Sequence, residues 1–526
     1  MELTPTQKAA LAAVHAGENV LVVGPGGAGK SHWISQVVKT VTKKVVPTAT
    51  TGVAAFNNSG TTLHSFLGCG LVDTCAEHEV VDAIADLQVQ LSRGADPDQV
   101  VYNQVLDVEY RVSAAGVQQL EAMLVQRVAA RLLGECLKYQ RRVDNVREAK
   151  VLLVDEVSMM SRFMLEVTDQ LLRLLRQHEA PWGGLQVILV GDFRQLPPVS
   201  KEVGTITAQY AFESPHFNQL VDRTFVFTTI FRQADLAFQS LLNRMSEGQM
   251  TAEDHAVLAS RIRPLAETPT DITRLFGTND QVRRVNAMRL AEITGVPTHR
   301  YEMVSRVVRS GRLGVSDVML RKNRESCIAD EMLEIKVGAY VMLLVNLATE
   351  HGLVNGTCMR VVGVSKHGAV LAERVGPGDA DPPRNMPAAE DMRDRLHKFE
   401  DVVLTRLVDY SSRQVVIHPN TWVVNLPGGA CVQHTQMPLK LAWAVTIHKS
   451  QGQSYTRACI GLGKRDCFQP GAAYVAASRL QTLDGMYLTE YEPAAVVASP
   501  EAVAWYDAQK AKVGDAARLA DKPVAP

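Results

Sequence analysis

The chain has 526 residues, 46% hydrophobic and 21% charged, with 55 basic and 56 acidic side chains and a net charge of -1. This excludes a disordered or low-complexity chain, and at roughly 150 residues per domain it implies about three to four domains. The balanced charge neither announces nor excludes nucleic acid, because a basic groove can sit on a neutral protein.

The start, Met1-Glu2-Leu3-Thr4-Pro5, has neither the basic nor the apolar region of a secretory signal. No run nears the ~18–20 apolar residues of a membrane helix, so no membrane partner is expected. The eight cysteines, at 69, 75, 136, 327, 358, 431, 459 and 467, form no CxxC pair. They read as reduced thiols of an intracellular protein, in the nucleus or, for a viral or bacterial chain, the cytoplasm.

In chain order, Val20-Leu21-Val22-Val23 is the first of three apolar runs that predict buried parallel strands. Residues 71–149 carry helix-like stretches, such as 116–139, and predict an inserted helical subdomain. Val151-Leu152-Leu153-Val154 is the second strand; the helix expected over 161–178 places Leu165, Leu172 and Leu175 at helical spacing. Val187-Ile188-Leu189-Val190 is the third. Between 333 and 364, short apolar runs with Asn355-Gly356 predict a small β-barrel. The Gly-, Pro- and Asp-rich 376–387 reads as a loop, and the Ala- and Lys-rich last 25 or so residues as a frayed tail.

Each predicted strand ends where α/β sheets bind ligands. Gly24-Pro25-Gly26-Gly27-Ala28-Gly29-Lys30-Ser31 fits GxxxxGK[ST] after the first. Its backbone N–H groups and the following helix N-terminus suit phosphates; Lys30 suits the β- and γ-phosphates and Ser31 suits Mg²⁺. The second strand ends in Asp155-Glu156, a metal-holding aspartate beside a base for the attacking water. Gln195 follows the third and suits water orientation or γ-phosphate sensing, though taken by itself it reads first as an ordinary loop amide. An NTP hydrolase accounts for these parts; a nucleotide kinase shares the phosphate loop.

Further motifs narrow this. Leu3-Thr4-Pro5-Thr6-Gln7, Thr50-Thr51-Gly52-Val53-Ala54-Ala55 and Gly60-Thr61-Thr62-Leu63-His64-Ser65-Phe66 precede the acidic pair. Phe231-Arg232-Gln233, Thr446-Ile447-His448-Lys449-Ser450-Gln451-Gly452 and Ala473-Tyr474-Val475-Ala476-Ala477-Ser478-Arg479 follow it. In this order they resemble the petite integration frequency (PIF) type DNA helicases, near the RecD-like superfamily one, type B. The resemblance covers residue 3 to about 491, except 71–149 and the tail. Ala28 and Ala477 stand where the family usually has Thr and Leu.

The resemblance implies an α/β fold with two RecA-like P-loop NTPase domains, an inserted small β-barrel and a helical insertion. Domain 1A is expected at 1–70 and 150–228, a helical or wedge subdomain at 71–149, and domain 2A at 229–330 and 438–495. Domain 2B is expected at 331–437 and a tail at 496–526. ATP and Mg²⁺ are implied, with Gln7 reading adenine and Gly452 at the nucleotide. Arg232 and Arg479 would reach the γ-phosphate from the second domain. Thr51, Gly52, Thr62, His64, Ser65 and Phe66, then His448, Lys449, Ser450 and Tyr474, would grip DNA; Phe66 suits a core position equally. The implied activity is 5′-to-3′ unwinding by a monomer on single-stranded and tailed or forked duplex DNA. An RNA-directed motor and a non-motor nucleotide switch stay open, the latter against a full set of catalytic groups.

Overall fold

The computed structural model describes residues 2–520 except 52–53, 56–57, 59, 69–77, 139, 199–205, 234, 265–271, 310–314, 318–319, 322–323, 325–326, 346, 349–350, 352, 354, 366, 375–412, 426–430 and 452. Gly52, Gly452 and the expected 376–387 loop lie outside the described residues. By internal contacts the chain forms two units: 1–249 with 469–474 and 497–526, and 250–468 with 475–496.

The first unit is built on strands β1 (Val20–Val23), β2 (Val45–Ala49), β3 (Thr61–Thr62), β6 (Val151–Asp155), β7 (Gln186–Gly191) and β8 (Arg223–Val226), with a hairpin, β4 (Val100–Asn103) and β5 (Val108–Arg111), between β3 and β6. The six form one all-parallel sheet in the order β3-β2-β6-β7-β1-β8. β1, β6 and β7 are buried along their whole length, which is why they read as continuous apolar runs rather than alternating ones. The central strands bring three turns, after Val23, Asp155 and Gly191, to one edge.

Helices α1 (Pro5–Ala16), α2 (Lys30–Thr40) and α3 (Leu63–Leu67) precede the insertion. α1 opens with a Thr4/Gln7 capping box and Pro5, and closes at Gly17 at φ +90°. The insertion holds α4 (His78–Ser92), α5 (Ala114–Cys136) and α6 (Gln140–Glu148). The β4–β5 hairpin is an addition to the helices expected there. The helix expected over 161–178 is α7 (Arg162–Arg176), capped by the Ser161 hydroxyl. Leu120, Leu124, Val128 and Leu132 of α5 share one core with Leu165, Leu172 and Leu175 of α7. The insertion therefore adds to the core of the first sheet.

The second unit has a four-stranded parallel sheet, ordered Ala444–Thr446, Thr273–Phe276, Ala458–Leu462, Met486–Tyr491. Where a barrel was expected, the described strands form antiparallel sheets. One has five strands (Gln414–Ile417, Val370–Arg374, Cys358–Val364, Tyr340–Leu343, Leu439–Leu441) and one has three (Val304–Arg309, Cys431–Gln436, Asn420–Asn425).

Three boundary expectations are corrected. Residues 229–249 and 469–474, expected with the second domain, pack in the first unit. The tail expected at 496–526 contains a helix, Pro500–Ala520, in that same unit. Tyr506 on it is 2% exposed. The ring of Trp505 stands edge-on to Phe193 at 5.1 Å and stacks on Phe212 at 5.2 Å. Two adjacent aromatics outweigh the Ala-rich composition that suggested fraying.

Candidate functional site

The glycine-rich turn after β1 is shaped by its neighbours. Gly27 and Gly29 lie at φ +87° and +78°, where side chains other than glycine are strained. A Cβ on Gly27 would stand 2.5 Å from the Arg232 Cβ. Phe231 donates its N–H to the Gly27 carbonyl at 2.8 Å. Arg232 thus lies against the phosphate loop inside the first unit, correcting its expected place on the second domain. Its fixed positive charge next to the loop follows from this backbone pairing.

Lys30 opens α2, and its Nζ donates to the carbonyls of Gly24 (2.6 Å) and Pro25 (3.0 Å). Burial lowers its pKa, while the carboxylates of Asp192, Glu156 and Asp155 hold it up. The ammonium is thus poised on the loop and surrounded by acid. Ser31 follows at the exposed start of the same helix. Gln7, expected to read adenine, is 3% exposed. Its Nε2 donates to Ala28 O (3.2 Å) and its Oε1 accepts from Thr4 N–H (2.9 Å). The amide ties the start of α1 to the loop.

Asp155 ends β6 and is 8% exposed. Its Oδ2 accepts from Asn58 Nδ2 (2.7 Å) and its Oδ1 from the Glu156 N–H (2.8 Å). Burial and then the adjacent Glu156 charge push its pKa up, against Asn58, that amide and Lys30. A cation would relieve both effects. Ser31 and Asp155 are oxygen donors of the kind Mg²⁺ takes along with phosphate oxygens and waters, so the set fits that ion. Glu156 sits in the left-handed region at φ +56°, ψ +44°, a strained conformation for a residue with a Cβ.

Beyond β7, Asp192 is fully buried and gathers four donors. Its Oδ1 accepts from the Tyr506 hydroxyl (3.1 Å) and the Arg194 N–H (3.2 Å). Its Oδ2 accepts from the Tyr474 hydroxyl (3.2 Å) and Gln195 Nε2 (3.2 Å). Tyr474 in turn accepts from the Gly26 N–H at 3.1 Å. Expected in the strand grip, Tyr474 is 3% exposed and belongs to the phosphate loop's support. The sequence reading missed Asp192, Asn58 and Tyr506. Asp192 carried a usable signal, an acidic residue directly after a buried apolar strand, as at Asp155.

The other strand-contact candidates divide by burial. Thr51 and Ser65 lie at the first unit's surface in part or whole, and Thr62 caps α3 by accepting from the Ser65 N–H. His64 is half-buried; burial lowers its pKa, so the ring is neutral near pH 7. Phe66 is a core residue, packed in the cluster that includes Leu63 and Leu67. In the second unit, His448 and Lys449 are half-buried on a short turn of helix. Burial, then nearby Lys440, lowers the pKa of Lys449. Ser450 is fully buried and donates to Ile447 O at 2.7 Å, so it offers no surface to a strand. Arg479, 2% exposed, donates Nε to Val475 O (3.0 Å) and Nη2 to Ser478 Oγ (3.0 Å).

Comparison with known proteins places these features in a family. The model described as PIF1-like helicase matches residues 2–92 and 131–256, and the one described as DNA helicase Pif1, 2B domain, matches 318–364. The chain is 30% identical over 523 residues to an ATP-dependent DNA helicase PIF1 of Emericella nidulans, covering 94% of this chain and 61% of that protein. It is 30% identical over 508 residues to the human protein of that name, covering 96% of this chain and 63% of the relative. It therefore spans somewhat under two thirds of these relatives' length. A crystal structure of a Pif1 helicase from Candida albicans superposes with a TM-score of 0.72 at 25% identity, covering 97% of this chain and 100% of that one. A Bacteroides Pif1 bound to single-stranded DNA shares the fold, with a TM-score of 0.67 at 22% identity, covering 98% of both chains. The two parallel sheets are accordingly those of a two-domain RecA-like α/β fold.

Proposed function

Since the chain belongs to the PIF1-like helicase family, we propose that it is an ATP-dependent DNA helicase. It moves 5′ to 3′ along single-stranded DNA and parts tailed or forked duplexes, as a monomer, in DNA replication, recombination, repair or telomere upkeep, wherever in the cell that DNA lies. One observation carries the motor reading beyond a plain NTP hydrolase: the loop after β2 is wired to the acidic pair. Thr50 donates its N–H to Asp155 O (3.2 Å) and its Oγ1 to Glu156 O (2.9 Å). Thr51, a strand-contact candidate, is the next residue, and β3 with Thr62 pairs on the other side of β2. A phosphodiester held on Thr51 or Ser65 and a phosphate held by the loop thus act on one rigid sheet edge.

In this reading Lys30 and the loop amides bind the β- and γ-phosphates. Ser31 and Asp155 hold Mg²⁺, which neutralises developing phosphate charge when bound. Glu156 takes a proton from the attacking water, and Gln195 orients that water. Arg232 supplies positive charge from beside the loop, and Arg479 is the finger candidate carried by the second unit.

The test is strand separation on two duplexes, one with a 5′ tail and one with a 3′ tail, with ATP and Mg²⁺. Opening of the 5′-tailed duplex alone is the expected result. Opening of the 3′-tailed one alone would reverse the polarity. If DNA stimulates neither opening nor hydrolysis while RNA does, the motor is an RNA one.

The β4–β5 hairpin is the proposed wedge. Its inner face packs Leu106 and Tyr110 into the core, while Val100, Tyr102 and Val105 are 54%, 53% and 77% exposed. The doubly substituted Tyr102→Ser/Val105→Ser chain is expected to unwind about fivefold more slowly, the factor for losing roughly 1 kcal/mol of apolar contact. Its single-strand-stimulated ATPase should be unchanged. Equal losses in both assays would assign the hairpin to folding rather than to strand separation.

A further inference from the structure

We propose that Tyr506, on the Pro500–Ala520 helix, is a positioning residue for ATP hydrolysis, acting through Asp192 on Gln195. The assignment rests on the reading of the site as an ATP hydrolase.

An ionised carboxylate only accepts, through about four lone-pair sites on its two oxygens. Among the described residues Asp192 has four donors, two on each oxygen. Because Asp192 cannot donate, it fixes which end of the Gln195 amide faces it. The Nε2 end points at Asp192, so Oε1 points away. That Oε1 is buried with no partner among the described residues, and Gln195 is 4% exposed. A buried acceptor without a donor is costly. Here it is the atom that would accept a proton of the attacking water.

Tyr506 is the donor that arrives from farthest along the chain. Burial, then the Asp192 charge, raises its pKa well above the usual tyrosine value, so it stays a donor. Its ring is held independently of its hydroxyl. Arg194 lies over it at 4.3 Å and bridges to Glu247 at 2.9 Å; Lys510, one turn along the helix, meets the same Glu247 at 3.1 Å. Removing the hydroxyl therefore leaves the helix docked and leaves Asp192 one donor short. The carboxylate is then free to turn toward its remaining partners, and the Gln195 amide loses its fixed direction. Tyr474 completes the chain from Asp192 to the Gly26 amide of the phosphate loop.

The experiment is steady-state ATP hydrolysis by the full chain carrying Tyr506→Phe, alone and with Gln195→Ala. The single variant is expected to lose about tenfold in kcat, the scale of one buried hydrogen bond to a charge, with the KM for ATP within about twofold. With Gln195→Ala already present, Tyr506→Phe should change kcat no further. Affinity for a fluorescent ADP analogue should match the wild type, reporting that the fold and loop are intact. Wild-type kcat in Tyr506→Phe would overturn the proposal, and so would an undiminished loss in the Gln195→Ala background, which marks a merely structural role. Should Tyr506→Phe fail to fold, Tyr474→Phe carries the same cycle through Oδ2, with a rise in KM added because the Gly26 amide loses its acceptor. A wild-type chain that binds the ADP analogue yet does not hydrolyse ATP overturns the hydrolase reading itself, and this assignment with it.

Discussion

Glu156→Gln is expected to slow ATP hydrolysis by about a thousandfold while leaving nucleotide binding intact, the scale for removing a positioned general base. The two effects separate because of where Glu156 stands. Its backbone holds a left-handed conformation at φ +56° that costs roughly 1–3 kcal/mol unless the surroundings impose it. They do: its N–H is bonded to Asp155 Oδ1 and its carbonyl accepts from Thr50 Oγ1. Gln has the same shape, so the turn and the Thr50 contact survive. What goes is the negative charge and the ability to take a proton. Loss of that charge also lessens repulsion toward incoming phosphates, so affinity should hold or rise. Lys30→Ala makes the contrast, since the ammonium that leaves the Gly24 and Pro25 carbonyls for phosphate is gone and binding falls together with turnover. Phosphate release and binding of a fluorescent ATP analogue, measured on both variants, decide it. Turnover by Glu156→Gln within tenfold of wild type would remove Glu156 from the role of base.

The parts legible in the sequence were those encoded within a few residues. Apolar runs ending in Gly24, Asp155 and Gly191 announce parallel strands and their ligand-facing turns, because burial on both faces demands continuous apolar residues. What stayed hidden was non-local. Asn58 meets Asp155 across 97 residues, and Tyr474 and Tyr506 meet Asp192 across 282 and 314. No local period marks such pairs. Motif order placed Arg232 with the second domain, whereas the backbone pairing of Phe231 with Gly27 keeps it on the first. The β4–β5 hairpin escaped because its turn has no Asn-Gly or Asp-Gly pair; Asn103 supports it instead, through its side chain accepting from the N–H groups of Val105 and Leu106. Composition misled at 500–510, where Ala-rich sequence concealed Trp505 and Tyr506.

Arg162→Ala is expected to destabilise the first unit by about 3–5 kcal/mol, the cost of leaving buried charge without its partner. Arg162 is the first residue of α7, directly after its capping Ser161. Its Nη2 meets Glu121 Oε2 of α5 at 2.7 Å and its Nε meets Glu166 Oε1 at 2.9 Å, with side-chain exposures of 10%, 6% and 9%. Gln209 and Ser214 fill further sites, at 2.9 and 2.7 Å. One cation therefore serves two buried carboxylates and joins the inserted helices to the sheet. Burial already raises the Glu121 pKa despite Arg162. A carboxyl whose folded pKa is raised holds its proton better folded than unfolded. Its contribution is present below the unfolded value and is lost as pH rises through the folded one. Without Arg162 that dependence steepens, so the variant should be less stable near pH 8 than near pH 5, by more than the wild type is. Urea denaturation at both pH values measures it. Replacing Glu121, Arg162 and Glu166 together by apolar residues of similar volume should restore most of the loss, because it leaves no unpaired charge. A single variant that unfolds like the wild type at both pH values would mean that water reaches the triad, and that the join between the insertion and the sheet rests on the α5–α7 apolar core alone.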